Sequence, residues 1–296
     1  EIPLLLHSLR EFSSLIFPSL EAAGARRILE IGSEAGLFTR ELCEWAAGRD
    51  GSVAAIEPLP GAEHEALQRE HGLQLIVGKS PGALEGLPPF DAYFLDGDHN
   101  YWCVSRELPQ IFAGDAMPLA VLHDVGWPCG RRDLYYNPRD IPAEHRHPFT
   151  YDGGVEPGNP GIVRDGGFRG EDSFACARQE GGQANGVLTA VEDFLADRPD
   201  LTFLRVPVVF GLGLVFPSDA AWADEIHRIV GPFHENPILA RLEANRIRLF
   251  LTHIDPYRSR EGSAHAVSEV ISGQQREIDA LAAEALTLRL AAERQG

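Results

Sequence analysis

Short, continuously apolar runs that each close on a glycine or a polar residue constrain this chain more than any other feature. They are RILEIG (27–32), SVAAIE (52–57), LQLIVG (73–78), DAYFLDG (91–97) and PLAVLHD (118–124). Helical patterns lie between several of them. Runs of this kind alternating with helices are the mark of a parallel sheet buried on both faces. The expected fold is α/β: a doubly wound, mostly parallel Rossmann-like sheet with helices on both faces. Its ligand crevice should lie at the carboxyl ends of the strands.

Residues Leu4 to Ala23 show helical spacing of Leu5, Leu9, Phe12, Leu15 and Ile16, and Gly24 ends the pattern. From about 127 to 185 the periodicity fails in a stretch rich in Gly, Pro, Arg, Asp and aromatics, which reads as a lid-like insertion. Order resumes with an amphipathic helix in NGVLTAVEDFLADRPD, followed by LTFLRVPVVFGLGLVFP, the expected last two strands, turning near Gly211 to Gly213. Residues 1–217 then form one domain and 218–296 a helical C-terminal extension. Within the extension, Ile271, Ile278, Leu281, Ala285 and Leu288 fall near heptad positions. That spacing suits a helix packed on its own domain and a dimerising coiled coil equally, and a homodimer is the default expectation.

Composition excludes several classes. The net charge of −18, from 44 acidic against 26 basic residues, argues against a nucleic-acid partner, which needs clustered Lys and Arg. No apolar stretch reaches the roughly 18 residues of a membrane span. Cys43, Cys103, Cys129 and Cys176 form no CxxC pair, which fits a reducing compartment. The stretch EIPLLLHSLREF lacks the cationic region and cleavage site of a signal peptide, so a cytoplasmic location is expected. Richness in Ala, Gly and Arg suggests a high-GC bacterial source.

Two stretches carry chemistry. In LEIGSEAG, the pattern Glu30-x-Gly32-x-x-x-Gly36 between strand and helix permits close backbone approach by a ligand. About 20 residues on, Glu57 ends the second run, where a carboxylate can accept both hydroxyls of a ribose. The second stretch is FDAYFLDGDHNYWCV, whose apolar run ends abruptly in Asp96, Gly97, Asp98 and His99. A turn alone would explain Asp-Gly, but LHDVG two dozen residues later places His123 and Asp124 at a matching run end.

LEIGSEAG, Glu57 and FDAYFLDGDHNY together resemble the class I methyltransferases that use S-adenosylmethionine. The DGDHNY box followed by LHDVG resembles a branch of small-molecule O-methyltransferases similar in layout to the catechol and macrocin-type sugar enzymes. The resemblance covers Leu4 to Val125 well and Leu201 to Phe216 loosely, and makes 1–217 a class I methyltransferase domain. It implies a cofactor across the strand ends, with Gly32, Ser33 and Gly36 around its methionine part and Glu30 among its binding residues. Glu57 would meet the ribose, Ser80 would lie near the adenine, and Asp96 would contribute beside them. It also implies a divalent metal on Asp96, His123 and Asp124. Carboxylates suit Mg²⁺, and an imidazole shifts the preference toward Mn²⁺, Fe²⁺ or Zn²⁺. An open alternative keeps Asp96 and Asp124 on the metal and turns His123 toward the substrate. His99 stands where the catechol enzymes carry a catalytic lysine, and a neutral imidazole suits removal of a hydroxyl proton. His123 is the substitute base.

The expected function is methylation of a hydroxyl on a small molecule, a secondary metabolite or a sugar. Its rivals are methyl transfer to nitrogen or carbon without a metal, a non-catalytic cofactor-binding scaffold, and a nicotinamide oxidoreductase, against which the absence of GxGxxG counts. Blander readings stand beside these: Asp98 as a helix cap, His123 as a core histidine, Tyr101 and Trp102 as packing. Arg131, Arg132, Tyr135, Tyr136, His145 and His147 in the insertion could close over an acceptor or pin the loop to its own domain.

Overall fold

Alternation of apolar residues along the short strands builds a seven-stranded sheet with a core on each face. The structure, a computed structural model, describes residues 5–114, 117–164, 166–170 and 173–253. The sheet contains β1 (Arg27–Ile31), β2 (Ser52–Glu57), β3 (Gln74–Val77), β4 (Ala92–Leu95) and β5 (Leu119–Leu122). Beyond β5 come β11 (Leu201–Val206) and β12 (Leu212–Pro217), named for their place in the chain after five short strands of the insertion. The order is β3-β2-β1-β4-β5-β12-β11. β1 to β5 run parallel, and β12 is antiparallel to both β5 and β11. This is the mostly parallel Rossmann-like arrangement the apolar runs implied.

Period two decides the layers. Ile28, Ala92, Phe94, Leu119 and Val121 join one core with α1 (Ser13–Ala22), α2 (Leu37–Ala47) and α6 (Ala223–Val230). Their neighbours Leu29, Tyr93, Leu95, Ala120 and Leu122 join the other core, with α4 (Tyr101–Ile111) and α5 (Val187–Leu195). A further helix, α3 (Ala62–His71), places Leu67 in the first core. Chain order reverses between β1 and β4, which are direct neighbours with Ile31 opposite Leu95. Such a switch point opens a crevice beyond the carboxyl ends of the strands.

The stretch expected as a lid is itself folded. Its strands β6 (Leu134–Tyr135), β7 (Phe149–Thr150) and β10 (Ala175–Ala177) form an antiparallel sheet in the order β6-β10-β7. A hairpin pairs β8 (Gly154–Glu156) with β9 (Asn159–Val163). Arg132 is fully buried between the two and donates to the carbonyls of Ala177 and Pro160. Asp133, also fully buried, accepts from the amides of Tyr101 and Gly186 and from the Tyr135 hydroxyl. Buried charges are tolerated when they are satisfied in this way, and removing one partner is costly.

Contacts divide the chain after Ile247 rather than near 217, because Ile226 and Val230 of α6 belong to the first core. The heptad-spaced stretch Val267 to Leu290 lies outside the described residues. Among those described, no helix is long and apolar enough to cross a membrane, and the four cysteines are free and buried.

Gly32 is the tightest point of the sheet. Its φ is +81°, and a Cβ there would stand 2.4 Å from the carbonyl oxygen of Asp96 and 2.5 Å from the Cα of Gly97. Gly72, with φ +68°, has nothing within 4 Å. Gly72→Ala is therefore expected to cost only the left-handed penalty of about 1–2 kcal/mol. Gly32→Ala adds a backbone clash and should lower the melting temperature much further or abolish soluble expression. Thermal melts of the two variants side by side check this; equal losses would contradict the close approach.

Candidate functional site

Beyond the ends of β1, β4 and β5 lies a cleft of about 630 Å³, within the usual size range of small-molecule sites. Glu30, Gly32 and Ser33 from the end of β1 form one side of it, and Asp96, His99, His123 and Asp124 the other. Glu30 is 2% exposed, and its Oε2 has no hydrogen-bond partner. Burial pushes its pKa up to about 8, and the charges of Asp96 and Glu57 add to this. An orphaned, buried carboxyl in a cleft wall is a place for a ligand's cation, because a positive group would replace the solvation that burial removed. The ammonium and sulfonium of S-adenosylmethionine are of that kind, so Glu30 fits the cofactor.

Three residues expected to touch the cofactor stand behind the wall. Glu57 spends its carboxylate on the turn itself: Oε2 accepts from the amides of Ser33 and Glu34 at 3.1 and 3.0 Å, and Oε1 from Leu59 at 2.9 Å. Gly36 turns with φ +75° and faces Glu63 of α3, where a Cβ would lie 3.0 Å from Cγ. Ser80 is absent from the lining, its Oγ buried. Close approach at Gly32 is by the chain's own Asp96–Gly97 backbone rather than by a ligand.

On the other side, oxygens of Asp96 and Asp124 lie 3.1 Å from Nδ1 of His123. The Nε2 of His123 donates to the carbonyl of Val209 at 3.0 Å, so Nδ1 is the nitrogen turned to the carboxylates. Burial opposes a charge on this imidazole, but Asp124 and Asp96 outweigh it and hold its pKa well above the usual value. Burial likewise works against the ionised Asp124, yet His99 and His123 keep its carboxyl well below the ordinary range. One candidate ligand atom from each of Asp96, His123 and Asp124 can be chosen so that all lie within 4.8 Å of one another. Two oxygens and one imidazole nitrogen, the last oriented by a carbonyl, are a chemically fitting donor set for a divalent ion. Asp124 has φ +58°, a left-handed turn that Asp tolerates better than most residues.

His99 shares Asp124. Its Nδ1 is 3.3 Å from Oδ2, and its Nε2 is 3.4 Å from the hydroxyl of Tyr136. Asp98 is not the cap of α4; Asn100 caps it by accepting from the amide of Cys103. Asp98 instead accepts from the amide of Tyr136 and so ties the box to the insertion. Tyr101 bonds to Asp193, and Trp102 stacks under Arg106, both away from the cleft.

Of the six insertion residues singled out in the sequence, Tyr136 alone reaches the cleft. Arg131 pairs with Glu192, Arg132 and Tyr135 are internal, His147 bonds to the carbonyl of Ala184, and His145 is exposed. Sequence reasoning missed part of the wall. His7, Ser8 and Arg10 line the mouth, and Phe168, Phe174 and Phe210 add an aromatic side. It also missed Glu107, buried behind His99 and pushed up to about 7 by burial, and His64, bonded to Ser33. The aromatic content of the insertion was a usable signal for the Phe wall; the others left none.

Residues 29–114 match the family model described as a methyltransferase domain. No curated protein matches the chain's sequence. Among solved structures, the S-adenosylhomocysteine-bound methyltransferase PaMTH1 of Podospora anserina is 19% identical with a TM-score of 0.45, covering 72% of this chain and 80% of that one. The O-methyltransferase TomG of Streptomyces achromogenes is 18% identical with a TM-score of 0.40, covering 71% and 85%. An O-methyltransferase from Bacillus cereus is 15% identical with a TM-score of 0.40, covering 72% and 84%. Likenesses at this level say nothing about substrate or site. The matched segment spans β1 to α4 of a Rossmann-like methyltransferase fold. That segment of the sheet carries the match to a methyltransferase domain.

Glu30 yields a test of the cleft's electrostatics. Its folded pKa of about 8 lies above the ordinary 4.5, so the folded state holds the proton more tightly than the unfolded one. Glu30 thus costs stability progressively as pH rises from about 4.5 to about 8, by at most about 1.4 kcal/mol per pH unit. Glu30→Gln should melt above wild type at pH 8, and the gap should close toward pH 5. A gap independent of pH, read by calorimetry across that range, would contradict the raised pKa.

Proposed function

We propose that this chain is an S-adenosylmethionine-dependent methyltransferase that moves the methyl group to a hydroxyl of a small molecule, with a divalent metal and His99 as the general base. One observation carries the reading: Asp96, His123 and Asp124 bring one candidate ligand atom each within 4.8 Å of one another, and His99 sits on the same Asp124 carboxylate. In the proposed reaction Glu30 and Ser33 hold the methionine part and set the methyl group toward the second half of the cleft. Asp124 accepts from Nδ1–H of His99, which leaves the lone pair on Nε2 toward the mouth beside Tyr136. That nitrogen takes the hydroxyl proton as the acceptor oxygen forms its bond to the methyl carbon and the carbon–sulfur bond breaks. The electron pair goes to sulfur, and S-adenosylhomocysteine leaves with a neutral thioether. A divalent ion held by Asp96, His123 and Asp124 would lower the hydroxyl's pKa and orient it. Positioning of the two reactants supplies much of the remaining acceleration.

A cytoplasmic, bacterial enzyme acting as a homodimer on a secondary metabolite or sugar completes the proposal; the free thiols and the acidic charge agree with it. The second reading is transfer without a metal, since an imidazolium at His123 satisfies both carboxylates by itself.

The test is titration calorimetry of S-adenosylhomocysteine on chelated protein, repeated after Mg²⁺ or Mn²⁺. Expected are cofactor-product binding in both runs and a separate metal heat that Asp124→Asn reduces at least tenfold, the usual scale for a lost oxygen ligand or its orienting partner. Product binding without a metal heat would establish the second reading. Absence of product binding would end both.

A further inference from the structure

The hydroxyl of Ser33 has a direction, and a residue outside the cleft sets it. His64 on α3 is fully buried. Its Nδ1 accepts from the amide of Gly61 at 3.1 Å, at the start of that helix. An amide can only donate, so Nδ1 carries no proton, and the neutral ring holds its hydrogen on Nε2. Nε2 lies 2.8 Å from Oγ of Ser33, and Oγ is therefore the acceptor of that bond. The hydroxyl's own proton cannot point back at His64. Ser33 is 6% exposed and lines the cleft, which leaves the cleft as the place for its O–H.

What that donor meets follows from what else the turn can offer. A glycine-containing turn ahead of a helix ordinarily presents backbone amides to an anionic ligand. Here the amides of Ser33 and Glu34 are both taken by Glu57. Glu30, across the same end of the cleft, suits a cation. The group left for the Ser33 hydroxyl is an anion, and in an amino-acid ligand whose ammonium lies at Glu30 that anion is the carboxylate. We propose that His64 is a positioning residue for the cofactor: through Ser33 it fixes a hydrogen-bond donor on the carboxylate of the methionine part. This rests on the methyltransferase reading above.

The experiment compares two ligands on the full chain by calorimetry: S-adenosylhomocysteine, which carries the carboxylate, and 5′-methylthioadenosine, which lacks it. Ser33→Ala and His64→Phe should each weaken S-adenosylhomocysteine about tenfold, the scale of a hydrogen bond to a charged group. Both should leave methylthioadenosine within about twofold. The double variant should be no worse than either single one, because both act through the same donor. His64→Gln, which can accept from Gly61 and donate to Ser33, should restore most of the affinity. Equal weakening of both ligands by Ser33→Ala and His64→Phe would reduce His64 to a helix cap and overturn the proposal, as would unchanged affinity for S-adenosylhomocysteine. Should His64→Phe fail to fold, Ser33→Ala and His64→Gln decide it by the same comparison. Wild-type protein that binds neither ligand would instead mark failure of the methyltransferase reading itself, and the proposal would fall with it.

Discussion

The close contact between the ends of β1 and β4 is the constraint on which the site depends. Gly32 passes so near the Asp96–Gly97 backbone that a Cβ would overlap it, and this lets the two strands part only after their ladder ends at Ile31 and Leu95. A crevice forms at such a reversal of strand order because the connections leave in opposite directions. The polar residues of the cleft then hang on short tethers: Glu30 two residues and Ser33 one residue from Gly32, Asp96 on the opposing strand end, and His123 and Asp124 one strand further. Short tethers on paired strands hold side chains more firmly than loops do. The precision of the cleft is thus a property of the sheet.

Electrostatics explains why this cleft suits a cationic cofactor. Glu30, Asp96 and Asp124 place three acids around one cavity; His99 and His123 lie against them, and His7, Arg10, Glu11 and Glu34 line it as well. The protein answers the crowding in two ways. Glu30 keeps its proton at neutral pH, while Asp124 is held ionised by two imidazoles. A sulfonium or an ammonium beside Glu30 would supply positive charge to a buried carboxyl whose Oε2 has no hydrogen-bond partner. The same logic applies at His123, where a proton or a metal ion serves the same pair of carboxylates.

Much of this was legible in the sequence, for a physical reason. Buried parallel strands must be continuously apolar, so their ends are marked where polar residues begin, and strand ends are where ligands bind. That logic led to Glu30, Ser33, Asp96, His99, His123 and Asp124, all of which line the one cleft. It could not tell which polar groups serve the chain itself. Glu57 stands at a strand end like the others, but the path of the Gly32–Gly36 turn brings two amides onto its carboxylate. His64 sits in AEHEALQREH, which reads as a solvated helix until the turn places Ser33 against it. The insertion's strands are two to five residues long, too short for any periodicity, and only the burial of Arg132 and Asp133 reveals that they enclose a core.

The two imidazoles on Asp124 differ in what fixes them, and this separates their roles. His123 is locked from behind: its Nε2 proton is committed to the carbonyl of Val209. Val209 and Phe210 both hold left-handed φ values, +49° and +62°, and such strain persists only where surrounding structure enforces it. Here the amide of Phe210 donates to Glu243, and its carbonyl accepts from Gly126. A histidine so constrained can present one nitrogen, at one angle, to the two carboxylates; it is built to ligate or to bridge. His99 has no such anchor on Nε2. Among the described residues its only partner there is the hydroxyl of Tyr136 at a long 3.4 Å, on a residue 56% exposed. A contact that weak is displaced by an incoming hydroxyl at little cost. In the proposed reaction the rigid imidazole would therefore suit the metal and the loosely held one the proton, although both lean on a single aspartate.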